Sequence, residues 1–382
     1  MKILLFEPRF EGHHVPWASL LARSLLDADA EVILAHGSDP RQLDRLEFSD
    51  PGLVNRLQLH PACPEGRFDG GAALASLDAA AQRHRPDRIL VANLDEFAAS
   101  LFRKAALGGR LPASLHGQLR GIYIRPRPLD LNQRGFQNAW KRKGYARLAT
   151  SGAFARLGIL DEDLAATVAS TPGHPPITWM PDFWTPSPPV DRSTARRAFK
   201  VPDGRTAFLF FGVPHRRKGL ELLVDAMSRS GHPDRFLLVA GDQHAGSPEL
   251  KQDLDRLVRD GRAVVHDRFL DDAEMAAAYV AADRVVLPYR SHYGSSGVLG
   301  HAALHARPVV ASDFHLLGRR VVRANLGLVH ANEDAASLAE TMDRSIEASD
   351  DVVANWQKSL QDWRDRNAPE AFAHAARSLA GI

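Results

Sequence analysis

Short apolar runs alternate with helical stripes twice along this chain of 382 residues, once on each side of a proline-rich stretch at residues 172–189. That alternation leaves few folds open, because two parallel strands can be joined only through a long crossover and a helix fills it. In the first half, residues 2–6 (KILLF) read as a strand, and Trp17, Leu20, Leu21, Ser24 and Leu25 fall at helical spacing. Residues 31–35 then read as a second strand. A helix over 71–84, a strand over 88–91 closing in Asn93 and Asp95, a helix over 97–106 and a strand over 118–124 continue the series. The second half restarts with a strand at 206–211, a helix through Leu220, Leu223, Val224 and Met227, and a strand at 235–240. A short strand at Val264 and Val265, a helix at 272–281 and strands at 284–288 and 308–312 follow. Helices over 335–346, 351–363 and 369–379 end the chain.

The proline-rich stretch cannot continue a helix and is expected to be a linker. The sequence therefore predicts an α/β chain of two Rossmann-like, doubly wound domains facing a central cleft. The expected bounds are 1–184, 185–355 and a final helical segment, 356–382, packing back toward the N-terminal domain. At 382 residues the chain is long for a single core and suits two.

Composition excludes several classes. Hydrophobic residues make up 45% and charged ones 25%, which is globular rather than disordered. The opening run is broken at once by Glu7, Pro8 and Arg9, so it reads as neither signal peptide nor membrane span, and a cytoplasmic location is expected. The single cysteine, Cys63, rules out an internal disulfide framework and argues against a cysteine metal cluster. A net charge of +2 demands no polyanionic partner, and no nucleic-acid-binding motif is present.

Three stretches carry candidate chemistry. Residues 294–297, Gly-Ser-Ser-Gly, lie between a strand and an alanine-rich helix, where free backbone N–H groups and the helix dipole favour an anion. The alternative is a plain turn in which Ser295 or Ser296 caps the helix. Gly12, His13 and His14 sit after the first strand, at the edge where ligands bind in such sheets; no third ligand is spaced for a metal. Finally, residues 110–147 hold nine basic residues against one acid, Asp130, with Tyr123, Phe136, Trp140 and Tyr145 among them. That pattern fits a solvated helix face, an anionic acceptor or an anionic membrane surface.

The second half resembles a known family. FLFFGVPHRRKGLELLVDAM, FLLVAGD and AADRVVLPYRSHYGSSGVLGHAALHARPVVASD are similar, in order and spacing, to the donor domain of GT-B glycosyltransferases of the family-four (group 1) type. The resemblance covers residues 206–340 well, and residues 1–185 only through βα alternation and the Gly-rich first loop. It implies that donor phosphates lie against Gly212 and Lys218, with Arg216 and Arg217 nearby. It also implies contacts to the backbone at Gly294, Ser295, Ser296, Gly297 and Val298, and a nucleobase seat at Phe269. The sequence departs from the family twice. Val213 replaces the usual arginine, and Tyr293 and His301 stand where the family carries two glutamates, near the donor sugar and on the nucleotide ribose.

The resemblance implies transfer of a sugar from a nucleotide-sugar donor to a small-molecule, glycan or lipid-linked acceptor. Configuration would be retained and no metal or other cofactor needed. Lys218, Arg216 and His13 are the expected catalytic groups, with Gly12 and His14 on the acceptor side and His301 at ribose or base. Peripheral contact with the inner membrane face is a further expectation. The missing glutamates leave one alternative, a GT-B-fold nucleotide-binding or scaffold protein without transferase activity.

Overall fold

The computed structural model describes residues 1–9, 14–37, 56–63, 69–184, 186–229, 231–244 and 246–382. The chain forms two compact units, one comprising Met1–Pro181 with Pro369–Ile382, the other Asp182–Ala368.

The first unit is built on a seven-stranded parallel sheet of β1 (Lys2–Glu7), β2 (Glu31–Gly37), β3 (Leu57–Cys63), β4 (Arg88–Val91), β5 (Leu119–Tyr123), β6 (Phe154–Ile159) and β7 (Ile177–Trp179). Its order is β3-β2-β1-β4-β5-β6-β7. Ile3 pairs with Val32 on one side and Arg88 on the other, so β1 is central. Central position explains its composition: Ile3, Leu4, Leu5 and Phe6 are all fully buried, and a strand covered on both faces reads as a continuous apolar run. Helices α1 (His14–Leu26), α2 (Gly70–His84), α3 (Asp95–Ala106), α4 (Phe136–Thr150) and α5 (Glu162–Ala169) connect the strands. Helices α3 and α4 approach so closely that a Cβ on Gly144 would lie 1.8 Å from the Phe102 carbonyl oxygen.

The second unit has a six-stranded parallel sheet of β8 (Thr206–Phe211), β9 (Arg235–Ala240), β10 (Ala263–His266), β11 (Arg284–Leu287), β12 (Val309–Ser312) and β13 (Gly327–His330), in the order β10-β9-β8-β11-β12-β13. Its helices are α6 (Arg192–Ala198), α7 (Leu220–Ser228), α8 (Pro248–Arg259), α9 (Asp272–Ala281), α10 (Gly297–Leu304), α11 (His315–Arg323), α12 (Ala335–Ile346) and α13 (Asp350–Arg366). A last helix, α14 (Pro369–Ala380), starts on the proline, whose missing N–H costs nothing at a first turn. It belongs to the first unit, where Phe372 meets Trp17 edge-on at 5.0 Å.

Two expectations change. The proline-rich stretch is not wholly a linker, since Ile177–Trp179 forms β7 at the outer edge of the first sheet, paired with β6. An edge strand tolerates flanking prolines because one row of its N–H groups needs no partner. The return to the first unit starts at Pro369 rather than at 356: Leu360 and Trp363 of α13 lie in the second unit's core. The two crossings of the chain are tied to each other. Asp182 N donates to Asn367 Oδ1 at 3.1 Å, Asn367 Nδ2 donates to the Trp363 carbonyl at 2.8 Å, and Arg320 pairs with Asp182.

Candidate functional site

In the second sheet the chain runs outward from β8 through β9 to β10, then returns to lay β11 on the other side of β8. Strand order reverses between β8 and β11, and the crevice beyond the carboxyl ends of two such strands is where ligands bind in open α/β sheets. Two loops meet there, 212–219 after β8 and 288–296 after β11. Arg290 N donates to the Arg217 carbonyl at 2.8 Å, and a Cβ on Gly219 would lie 1.9 Å from the Pro288 carbonyl oxygen. Only a glycine fits at that contact, and its φ of +71° is one that glycine adopts without strain.

Lys218 ends a single 3-10 turn, Arg216–Lys218, which His215 caps by accepting from Arg217 N at 3.2 Å. Its side chain folds back so that Nζ donates to the Phe211 carbonyl at 3.5 Å. A Cβ on Gly212 would lie 2.4 Å from that Nζ, so the glycine leaves the space the ammonium occupies. Burial, then the neighbouring Arg217, lower the Lys218 pKa. An ammonium short of solvent and of counter-charge is a strong place for an anion.

The facing loop is held by a chain of hydrogen bonds. Arg217 Nη1 lies 2.7 Å from His292 Nδ1, and His292 Nε2 lies 2.9 Å from the Ser295 carbonyl. A guanidinium only donates, so Nδ1 accepts and the ring proton sits on Nε2, donated to the carbonyl. Ser291 N and Ser312 Oγ both donate to Asn332 Oδ1 at 3.1 Å, joining the loops after β11, β12 and β13. Ser296 is the N-cap residue of α10, yet it makes no side-chain cap; its hydroxyl meets Tyr289 OH at 3.1 Å instead. The Ser296 side chain thus closes no first-turn amide of α10, although its carbonyl accepts from Leu299 N at 3.0 Å, and a Cβ on the exposed Gly297 would meet nothing within 4 Å. Open space before a helix N-terminus is suited to an anion.

The structure therefore brings together Gly212, Arg217, Lys218 and the turn from Gly294 to Val298. Arg216 is exposed beside them. Tyr293 is buried, with its ring 4.1 Å from that of His315. His301 lies within α10, its ring 5.6 Å from that of the fully buried Tyr279, and burial lowers its pKa. Its Nδ1 is buried without a hydrogen-bond partner. These two positions thus present a packed ring and a neutral imidazole rather than carboxylates. Phe269 is 80% exposed after β10, which lies two strands from β8, about 10 Å away.

In the first unit, Gly12 and His13 lie outside the described residues. His14 is the first residue of α1, with Nδ1 3.3 Å from Glu7 Oε1 at the end of β1. Burial raises the Glu7 pKa, with His14 acting in the opposite direction. For His14, burial opposes the charge, but the Glu7 bond and charge, with Glu96, outweigh it and raise the pKa. Glu7 Oε2 is buried without a partner among the described residues. Strands β1 and β4 are neighbours at this sheet's own reversal of order. Across from Glu7, after β4, Asn93 Nδ2 donates to Glu96 Oε1 at 3.1 Å and Arg9 pairs with Glu96 at 3.6 Å. Sequence reasoning missed Glu7, Glu96 and His292. Glu7 had a signal, being the polar residue that ends a fully apolar central strand.

One trio of potential metal ligands stands out among the described residues, Asp242, His244 and Asp267, with ligand atoms within 4.8 Å of one another. His244 Nδ1 already bonds Asp242 Oδ1 at 2.6 Å, Gln243 N donates to Asp267 Oδ1 at 2.7 Å, and the trio is largely solvent-facing.

Residues 205–348 match the family model described as Glycosyl transferases group 1. A search of curated protein sequences finds no match. Among solved structures, HepE of Anabaena in complex with UDP superposes with a TM-score of 0.71 at 15% identity, covering 100% of both chains. Sucrose-phosphate synthase of Thermosynechococcus elongatus gives 0.70 at 18% identity over 99% of this chain and 98% of that one. WaaG, a glycosyltransferase involved in lipopolysaccharide biosynthesis, gives 0.68 at 14% identity over 100% of both. The sheet that reverses between β8 and β11, the basic loop at 212–219 and the helix behind Ser296 thus all lie in residues 205–348, the part of the chain that is similar to group 1 glycosyl transferases, and the chain as a whole has the GT-B fold of these solved structures.

Proposed function

We propose that this protein transfers a sugar from a nucleotide-sugar donor, bound by the second unit, to an acceptor held by the first. The observation that carries the reading is that the loop bearing Lys218 and the turn leading into α10 are joined, through Arg217, His292 and Ser295, at one strand-order reversal. HepE, which shares the fold, has been solved with UDP and with UDP-glucose. Lys218 and the amides from Ser296 to Val298 would hold the donor diphosphate, Phe269 would stack on the base, and His301 would face the nucleoside through one hydrogen bond.

In this reading the bond between the anomeric carbon and the diphosphate oxygen breaks. Negative charge grows on that oxygen, and a preorganised ammonium and N–H groups stabilise it more than the ground state. The acceptor oxygen bonds to the anomeric carbon on the face the phosphate leaves, its proton passes to the phosphate, and configuration is retained. Charge neutralisation by protein groups asks for no metal and no cofactor beyond the donor co-substrate. On the first unit, Glu7, His14 and the unplaced Gly12 and His13 would take a hydroxylated acceptor, with Glu7 Oε2 accepting from it. Arg216 would add to the field over the phosphates.

Thermal unfolding with a panel of nucleoside mono- and diphosphates tests the donor half. A ligand at 100 times its Kd stabilises a folded protein by about 2.7 kcal/mol, so one nucleoside diphosphate should raise the Tm by several degrees. No shift with any nucleotide at millimolar concentration removes the donor site. A shift without sugar transfer from any matching nucleotide sugar favours the binding or scaffold reading that Tyr293 and His301 motivate.

A further inference from the structure

Helix α4 turns Gly144, Tyr145 and Leu148 inward against the first unit's core. Phe136, Trp140, Lys143 and Arg147 recur at helical spacing along another side of it. Phe136 is 82% exposed, and its ring stacks on that of Trp140 at 6.2 Å with 20° between planes. Lys143 Nζ sits 5.7 Å from the centre of the Trp140 ring. The preceding loop is fixed to the helix, because Arg142 donates to the carbonyls of Pro128 and Asp130 at 2.9 and 3.0 Å. That loop carries Leu131, 72% exposed. Asp130 is the lone acid between residues 110 and 147, and it is buried.

We propose that this side of α4, with the Leu131 loop, docks the protein onto an anionic lipid bilayer. Large apolar side chains protruding from a helix and a loop tip, flanked by cations, suit the headgroup–acyl boundary of a membrane. Lys143 and Arg147, both exposed, supply the cations on this side. Clustered cations of this kind gain most from an extended anionic surface that answers them all at once. The chain lies on the bilayer rather than crossing it, since no described helix is long and apolar enough to span one. The surface is separate from the nucleotide site, and the inference stands or falls without it.

Flotation of the full chain with phosphatidylcholine vesicles, alone or containing phosphatidylglycerol, is the test. The protein should float at least about tenfold more readily with the anionic vesicles, and about 1 M salt, where the screening length is about 3 Å, should release most of it. The double variant Phe136→Ser, Trp140→Ser should lose about tenfold in partitioning. Lys143→Glu with Arg147→Glu should remove the preference for anionic lipid, at about fivefold per charge lost. Unfolding midpoints of both variants show that the fold is kept. Wild-type flotation equal on both vesicles, or unchanged by the substitutions, overturns the proposal. Sedimentation showing a dimer that Phe136→Ser disperses, without flotation, reassigns the surface to self-association and overturns it too.

Discussion

Lys218 concentrates the chemistry proposed for the second unit in one side chain. Its ammonium lies against the Gly212 backbone, and burial already disfavours its charge. A bound diphosphate would restore that charge, so Lys218→Ala should weaken nucleoside diphosphate binding about 10–100-fold and slow turnover by about 10²–10³. Isothermal titration and initial rates check this; unchanged values remove the lysine from the site. At position 301, His301→Glu would place a carboxylate where the resemblance expects one, and a gain in nucleotide affinity is the expected outcome by the same titration. His305 supplies a pH effect on stability. Burial, then His301 and Arg307, lower its pKa to about 4. The unfolded chain therefore takes up a proton on this residue between about pH 6.5 and pH 4 while the folded chain does not. Stability is fully present above that window and is lost as pH falls through it, by about 1–2 kcal/mol from pH 7 to pH 5. Urea unfolding at the two pH values, flattened in His305→Gln, measures it.

At the scale of elements, two glycines of the 212–219 loop make opposite demands. Both have positive φ, +109° at Gly212 and +71° at Gly219. An added Cβ meets the movable end of Lys218 at the first and the Pro288 carbonyl at the second. Gly212→Ala should therefore cost only the backbone strain, about 1–2 kcal/mol, while displacing the lysine and lowering nucleotide affinity. Gly219→Ala must push the 288–296 loop away and should destabilise by more, about 2–4 kcal/mol. Chemical denaturation and nucleotide titration on the two variants separate stability from binding. The glycines and Lys218 are legible as a motif, as is the Gly-Ser-Ser-Gly turn. What the motif does not reveal is the bond chain Arg217 to His292 to Ser295, because it joins residues 75 apart in sequence through geometry alone. Ser296 does stand at the N-cap position that the sequence offered, but its side chain makes no cap bond, and its hydroxyl meets Tyr289 instead.

Across the whole molecule, each unit repeats one plan, a parallel sheet whose order reverses beside its first strand, with polar groups gathered at that point. The chain passes between units at two places that Asn367 joins. Asn367 is 1% exposed, so Asn367→Ala would leave Asp182 N without its acceptor, at a cost of about 1–3 kcal/mol seen as a lower unfolding midpoint. Periodicity located the central strands and most helices because a strand buried on both faces must be apolar and a surface helix must carry a stripe. Periodicity did not find β7, three residues between prolines, since a short edge strand needs neither. The sequence alone determined two α/β units and a Gly-Ser-Ser-Gly turn ahead of a helix, which follow from local pattern. Tertiary structure alone decided that Glu7 faces His14, that Tyr293 packs on His315 and that His301 lies half-buried beside Tyr279. Those outcomes depend on which side chains distant parts of the chain bring alongside, and burial in that company sets their charge.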